Sequence, residues 1–294
     1  MENRKILITG ASGNIGYEII RGLKEIHSKH SIIAADYKPE HAKKVLNEFT
    51  GLEYRTLDFA CSETFAPALE GVDVVFLLRP PNLADVPKYF EPFVDAMIGR
   101  EIRKIVFLSV QDVENQKSIP HHKLEKLILD KSLEYAFLRP SYFMQNLTTT
   151  LKKEITEQDK IFIPSGKLKF TWVDARDIGL VGAHILDKFD NYRNGPYEIT
   201  GNEQKDFYEV ADILTEKLGR EIRYESPNLV KFFRHKRKQG MQKMMIFVMI
   251  MLHYLPRLSK KENKLTNTVQ EIAGKEPGSL ESFIERSTMH LSRV

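Results

Sequence analysis

Six short apolar runs, each followed by a longer amphipathic stretch, limit what this chain can fold into. The runs are KILITG (5–10), SIIAAD (31–36), LEYRTLD (52–58), VDVVFLL (72–78), KIVFLS (104–109) and LEYAFLRP (133–140). The first, second, fourth and fifth are almost unbroken in apolar residues, as expected of strands buried on both faces of a parallel sheet. The stretches between them, Ile15–Ile26, Pro39–Phe49, Phe65–Leu69, Val86–Ile98 and Pro120–Lys131, have helical character. This rhythm predicts an α/β fold with a doubly wound parallel sheet through about residue 140.

Beyond Pro140 the rhythm loosens. KIFIPS, KFTWVD, PYEIT and EIRYE read as strands, DARDIGLVGAHILDKF as a helix capped by Asp174, and DFYEVADILTEKLG as another helix. The last seventy residues read as mainly helical. The expected division is a dinucleotide-binding domain over 1–200, with 140–170 contributing partly to the substrate side. A smaller, mainly helical cap over 201–294 is expected to cover the C-terminal edge of the sheet.

Of the 294 residues one is cysteine, Cys61, so no internal disulfide is possible and a reducing compartment fits. The chain reaches its first strand within a few residues, without an apolar leader, and a cytoplasmic protein is expected. The net charge of +4 conceals an uneven distribution. Between Ser226 and Lys261 lie nine Lys or Arg and no Asp or Glu, so the remainder is mildly acidic. A nucleic-acid binder would be basic more generally, and such a partner is not expected.

ILITGASGNIG places Gly10, Gly13 and Gly16 directly after the first strand, at the opening of the first helix. A strand that turns sharply into a helix, with its backbone bare, can take a pyrophosphate on free N–H groups at the positive end of the helix dipole. A side chain at Gly13 would block the approach. Ser12, Asn14 and Ile15 complete the predicted cradle. Asp36, twenty residues after Gly16, stands where a carboxylate accepts from a ribose 2′-hydroxyl; Asp58 and Phe59 stand at the expected adenine edge. The plainer alternative is a glycine-rich turn with two strand-end caps. A carboxylate at position 36 repels a 2′-phosphate and favours NAD(H) over NADP(H), with Lys38 acting in the opposite sense.

With TGASGNIG, LLRPP, FLSVQ, PHHKLEK, FLRPSYFMQNL, TWVDARDIG and VQEIAGKEPGSLESFIER in place, the chain resembles the atypical short-chain dehydrogenases of the NmrA-like kind over nearly its whole length. The resemblance implies a Rossmann fold and a nicotinamide dinucleotide. It implies either an NAD(P)H-dependent reductase or a redox sensor that binds dinucleotide without turnover. Carried over by position, Leu78, Arg79 and Pro80 would line the adenosine and ribose, and Ser109 would lie near the nicotinamide. Pro140 and Phe143 would approach the nicotinamide, with Tyr142 and Asn146 in the substrate pocket. A buried connection filled by aromatics is the alternative for RPSYFMQN.

Short-chain dehydrogenases generally carry a Tyr and, four residues on, a Lys. None of the eleven tyrosines here is followed by Lys at that spacing. What remains is His122 with Lys126, one turn apart on a helix that Pro120 opens. Near a helix N-terminus and a lysine, His122 is expected to be neutral, a hydrogen-bond donor but a weak acid. That suits a quinone or an enone better than a simple ketone. The alternative leaves His122 as a helix-start residue and Lys126 as a surface charge. No metal site is expected from the scattered histidines, and no Gly-x-Ser-x-Gly elbow supports hydrolysis.

The basic, methionine-rich segment 231–258 holds nine unbroken apolar residues from Met244 to Leu252, too few for a span of about twenty. Three readings stay open: a flexible lid over a flat substrate, a surface for a protein partner or homo-oligomer, or a face lying on anionic lipid. The favoured function is NAD(P)H-dependent reduction of a small flat electrophile. The runner-up is a non-catalytic dinucleotide sensor acting through a partner.

Overall fold

A computed structural model describes residues 3–258 and 264–292. The chain divides into two compact units that interleave along the sequence. The first comprises 1–141, 175–199 and 267–276, the second 142–174, 200–266 and 277–294. The single boundary expected near residue 200 is therefore one of five crossings. Local composition carries no sign of them, because strand pairing and helix packing across distant stretches decide unit membership.

In the first unit, β1 (Lys5–Thr9), β2 (Ser31–Asp36), β3 (Leu52–Thr56), β4 (Val74–Leu77), β5 (Lys104–Leu108) and β6 (Glu134–Pro140) join the strand Gly195–Ile199 in one sheet. The order is Gly195–Ile199, β6, β5, β4, β1, β2, β3, and every pairing is parallel. The chain thus starts centrally at β1, builds outward to β3, then returns to β4 on the other side. The crevice at that reversal, beyond the carboxyl ends of β1 and β4, is where open α/β sheets bind ligands. Central strands are buried on both faces, whereas β3 at the edge is half exposed, so the continuous and alternating apolar patterns match position in the sheet.

The helices of this unit are α1 (Asn14–Glu25), α2 (Pro39–Val45), α3 (Phe65–Ala68), α4 (Val86–Tyr89), α5 (Glu91–Ile98) and α6 (Pro120–Asp130). The predicted helix Val86–Ile98 is two pieces, broken at Phe90. Pro87 and Pro92 each sit near a helix start and lack the N–H that would carry one helix through. Behind α1 packs the helix Ala175–Asp187. A Cβ on Gly179 would stand 2.5 Å from Glu18, so the two helices touch backbone to backbone there. This closeness fixes the axis of α1 and hence the direction its N-terminus faces.

In the second unit, Phe170–Val173 pairs in parallel with Tyr142–Phe143 and antiparallel with Gln204–Lys205, and Lys160–Phe162 pairs with Arg223–Glu225. Around them Trp172, Phe207, Phe162 and Phe232 form the core. The helix Phe207–Leu218 opens on a full capping box, Asp206 receiving the Tyr208 and Glu209 N–H groups while Glu209 receives that of Asp206. The basic segment becomes two helices, Leu229–Lys238 and Lys243–His253.

Candidate functional site

The turn from β1 into α1 is held by its own backbone. Gly10 has φ +60°, the left-handed region, and its carbonyl accepts from the Gly13 N–H at 3.0 Å. A Cβ on Gly16 would lie 2.3 Å from the Gly10 oxygen, so only glycine lets the helix start this close to the strand. Gly13 differs: a Cβ there would meet only the Gly10 oxygen, at 3.2 Å, and Gly13 and Asn14 are exposed. The space that a side chain at 13 would fill is the cradle, open at the N-terminus of a twelve-residue helix. Ile15 is buried beneath it and anchors the first turn.

Asp36, 4% exposed, closes one side. Its carboxylate receives the Ser12 hydroxyl at 2.6 Å and N–H at 3.3 Å, and the Lys38 N–H at 3.2 Å. The predicted acidic residue is therefore joined to the glycine turn. The Lys38 ammonium lies 5.1 Å from the centre of the Tyr37 ring. Tyr37 itself, with 61% of its surface exposed, stands beside Asp36 and went unnoticed in the sequence. Asp58 receives the Ala60 N–H at 2.8 Å and so orders the turn after β3. The Phe59 side chain is in the core against Phe90 and Phe93, which leaves its backbone as the part able to meet a ligand.

At the end of β4 the Leu78 N–H donates to the Thr9 hydroxyl at 2.8 Å, linking the two strands that flank the crevice. Arg79 turns its guanidinium onto the carbonyls of Pro80 (2.8 Å), Pro81 (3.3 Å) and Leu83 (3.0 Å). Burial depresses its pKa, and among the described residues it makes no ion pair. At the end of β5, Ser109 is 2% exposed, and its hydroxyl has no hydrogen-bond partner in the structure. A buried hydroxyl without a partner is uncommon and suits a ligand group not present here. The open cradle and this hydroxyl fit a dinucleotide. Gly10 to Gly16 would hold its pyrophosphate, Asp36 its ribose, and Ser109 would face its far end.

The helix expected to carry the chemistry corrects the sequence reading. The Lys126 ammonium pairs with Asp130 one turn on, at 2.7 Å, with 65% of the lysine side chain exposed. His122 Nδ1 lies 3.2 Å from the Val113 carbonyl, so this ring ties the helix start to the preceding turn. The histidine turned inward is His121, stacked on Phe107 with ring centres 6.2 Å apart. Burial, reinforced by the Arg79 guanidinium, pushes its pKa down to about 3, so it is neutral. The signal that would have found it is helical phase. Leu124 and Ile128 are fully buried, and His121 shares their face at three and seven residues' spacing, while His122 and Lys126 do not.

The other predicted residues fall in two groups. Pro140 ends β6, and its carbonyl receives the Gln111 N–H at 3.0 Å. Tyr142, Phe143 and Asn146 belong to the second unit. There Tyr142 packs between Phe170 and Trp172, with ring centres 4.7 and 4.8 Å away. Its hydroxyl lies 2.9 Å from His253 Nε2, and burial raises its pKa. Phe143 pairs with Val173 in the sheet, and the Asn146 carbonyl receives the Leu151 N–H at 2.9 Å. The Tyr142 hydroxyl is also hydrogen-bonded to the Asn146 side chain, so the structure brings these two predicted residues together.

In the same unit, the basic helix Leu229–Lys238 is fastened by Lys236, which pairs with Glu154 where each side chain is only 1% exposed. A groove of about 390 Å³ runs along its outer face between Asn228, Lys231, Arg234, His235 and Lys238. The next helix leaves Met244 73%, Phe247 54% and Met251 56% exposed, while Ile246, Met249 and His253 are buried. Among the described residues no helix is long and apolar enough to cross a membrane, and no cluster of His, Cys, Asp and Glu could hold a metal ion.

Comparison with known proteins agrees with this architecture. The Prestalk A differentiation protein A of Dictyostelium discoideum is 29% identical over 98% of this chain and 93% of its own length. An NAD(P)H azoreductase of Xenophilus azovorans is 28% identical over 74% of this chain and 76% of its own. Among solved structures, the NADPH-dependent quinone oxidoreductase of Escherichia coli superposes with a TM-score of 0.83 at 18% identity, covering 97% of this chain and 99% of that one. The sequence pattern of the NmrA-like family matches residues 2–272, and the chain belongs to that family.

Proposed function

We propose that the protein is an NAD(P)H-dependent reductase of a small flat electrophile, a quinone or an enone, and that it prefers NAD(H). The observation that carries this reading is the joining of Asp36 to the glycine turn through Ser12. A buried carboxylate held at this place accepts from two ribose hydroxyls and repels a 2′-phosphate. The bound dinucleotide would supply a hydride. The chain's own residues would bind and orient it: the α1 N-terminus at the pyrophosphate, Asp36 at the ribose, Leu78 and Pro80 along the crevice, and Ser109 at the reactive end. The inward-facing groups at the end of β5 and the start of α6, the Ser109 hydroxyl and the neutral His121, are weak acids, so an acceptor whose reduced oxygen tolerates negative charge is favoured over a simple ketone. The activities for which the azoreductase and the quinone oxidoreductase are named point to the same reaction class.

A second reading is a dinucleotide sensor that signals through a protein partner or a second copy. The exposed apolar side chains of Met244, Phe247 and Met251 favour it, as does the differentiation role named for the Dictyostelium relative. Steady-state oxidation of NADH with quinones, enones and ketones separates the two. Turnover of quinones or enones alone supports the reductase. Tight NADH binding with no acceptor reduced leaves the sensor.

A further inference from the structure

Arg79, which the family resemblance places along the adenosine and ribose, and His121 stand at the C-terminal edge of the first unit and take no part in the hydride transfer proposed above. Arg79 follows β4, and among the described residues no carboxylate neutralises it. Its Nε is buried with no hydrogen-bond partner, while one terminal nitrogen is held on three carbonyls of its own loop. The other arginine of this region shows what a structural guanidinium does here. Arg139 is gripped by both oxygens of Glu125, at 3.0 and 2.7 Å, and by Glu114 at 3.0 Å. Leu77, two residues before Arg79, pairs with Phe107 in the sheet, and His121 stacks on Phe107, with no hydrogen bond to either ring nitrogen among the described residues. An arginine and an imidazole with donors to spare, at the edge where this sheet class binds ligands, are suited to negative charge.

We propose that Arg79 and His121 form a subsite for an anionic oxygen of the acceptor, the phenolate- or enolate-like oxygen that reduction creates. The assignment rests on the reductase reading. Reduction moves a hydride from the dihydronicotinamide to the acceptor and oxidises the nicotinamide. The acceptor's displaced π pair comes to rest on its oxygen, which water later protonates. Fixed donors aimed at that oxygen stabilise the developing charge, and Arg79 supplies a positive charge that water cannot match in a buried place. His121, neutral across the working pH range, donates a hydrogen bond without having to lose a proton. A dinucleotide phosphate is also an anionic oxygen, but the glycine turn and α1 already supply donors to the pyrophosphate.

The probe is 4-nitrophenol, whose colour reports its ionisation, titrated against pH into protein saturated with NAD⁺. The bound probe is expected to ionise about one pH unit lower than the free probe, a tenfold preference for phenolate. Arg79→Met should abolish the preference. His121→Phe, which keeps a ring on Phe107, should reduce it several-fold. The thermal transition followed by circular dichroism reports folding, and Arg79→Lys, retaining charge without the fork, should fall between if Arg79→Met does not fold. Equal affinity for phenol and phenolate, or a preference that survives both substitutions, overturns the subsite. Exclusion of the probe by NAD⁺ gives these donors to the cofactor's phosphates and overturns the assignment to the acceptor. Phenolate binding with no acceptor reduced would remove the reductase reading instead, since this readout needs no turnover.

Discussion

The Tyr142 hydroxyl donates to Nε2 of His253, 2.9 Å away, and the same imidazole donates from Nδ1 to the Met249 carbonyl at 2.7 Å. Both nitrogens are thus committed, and the ring is neutral. Burial lowers the His253 pKa from 6.5 to about 4. The folded protein therefore binds fewer protons than the unfolded chain between those values. Stability from this site is complete above pH 6.5 and is lost as pH falls toward 4. His121, lowered from 6.5 to about 3, acts in the same sense in the other unit. Denaturant unfolding is expected to weaken through this range by on the order of 3 kcal/mol per site. His253→Phe should flatten part of the acid limb and cost about 1 kcal/mol at neutral pH, where it leaves the tyrosine hydroxyl with Asn146 alone. An unchanged acid limb in that variant would remove His253 as the cause.

Gly13 and Gly16 are expected to fail differently. Gly13→Val should cost less stability than Gly16→Ala, since its Cβ meets only the Gly10 oxygen, at 3.2 Å, and should abolish NADH binding by calorimetry, because the rest of the side chain enters the cradle. Gly16→Ala should lower stability by about 1–3 kcal/mol, because its methyl group meets backbone that can only move by separating α1 from β1. Retained NADH affinity in Gly13→Val would take the pyrophosphate elsewhere.

Asp36→Ala is expected to narrow or invert the preference for NADH over NADPH, measured as a ratio of dissociation constants. Removal of the carboxylate also frees the Ser12 hydroxyl and N–H, two donors that a 2′-phosphate could use. A native preference for NADPH would contradict the role of the carboxylate.

Lys126→Ala should leave NADH affinity unchanged and shift stability by no more than about 0.5 kcal/mol, the worth of an exposed pair one helical turn apart. A clear loss of NADH affinity would restore the cofactor role suggested by its spacing from His122.

Lys236→Ala should cost about 3–5 kcal/mol, because Glu154 would remain buried without its counter-charge. The double replacement Glu154→Leu with Lys236→Met should recover most of that loss. Chemical denaturation of the single and double variants measures the coupling directly.

What the sequence determined by itself is periodic or short in range. The βαβ rhythm, the strands from Lys5 to Pro140 and the glycine turn were legible because burial on both faces and a strand-to-helix turn each leave a local mark. The nearness of Asp36 to the glycine turn was legible, since one βαβ unit fixes that distance; its hydrogen bond with Ser12, across 24 residues, was not. The tertiary structure decided what depends on which face points inward and on contacts across long separations. It turned His121 rather than His122 toward the interior, because the register of α6 is set by Leu124 and Ile128 packing into the core. It joined Tyr142 to His253 across 111 residues and buried Lys236 on Glu154 across 82, pairings that no local pattern announces. Residue type and spacing state which groups can do chemistry. The desolvation and pairing that decide whether they are free to do it arise only when distant segments close around them.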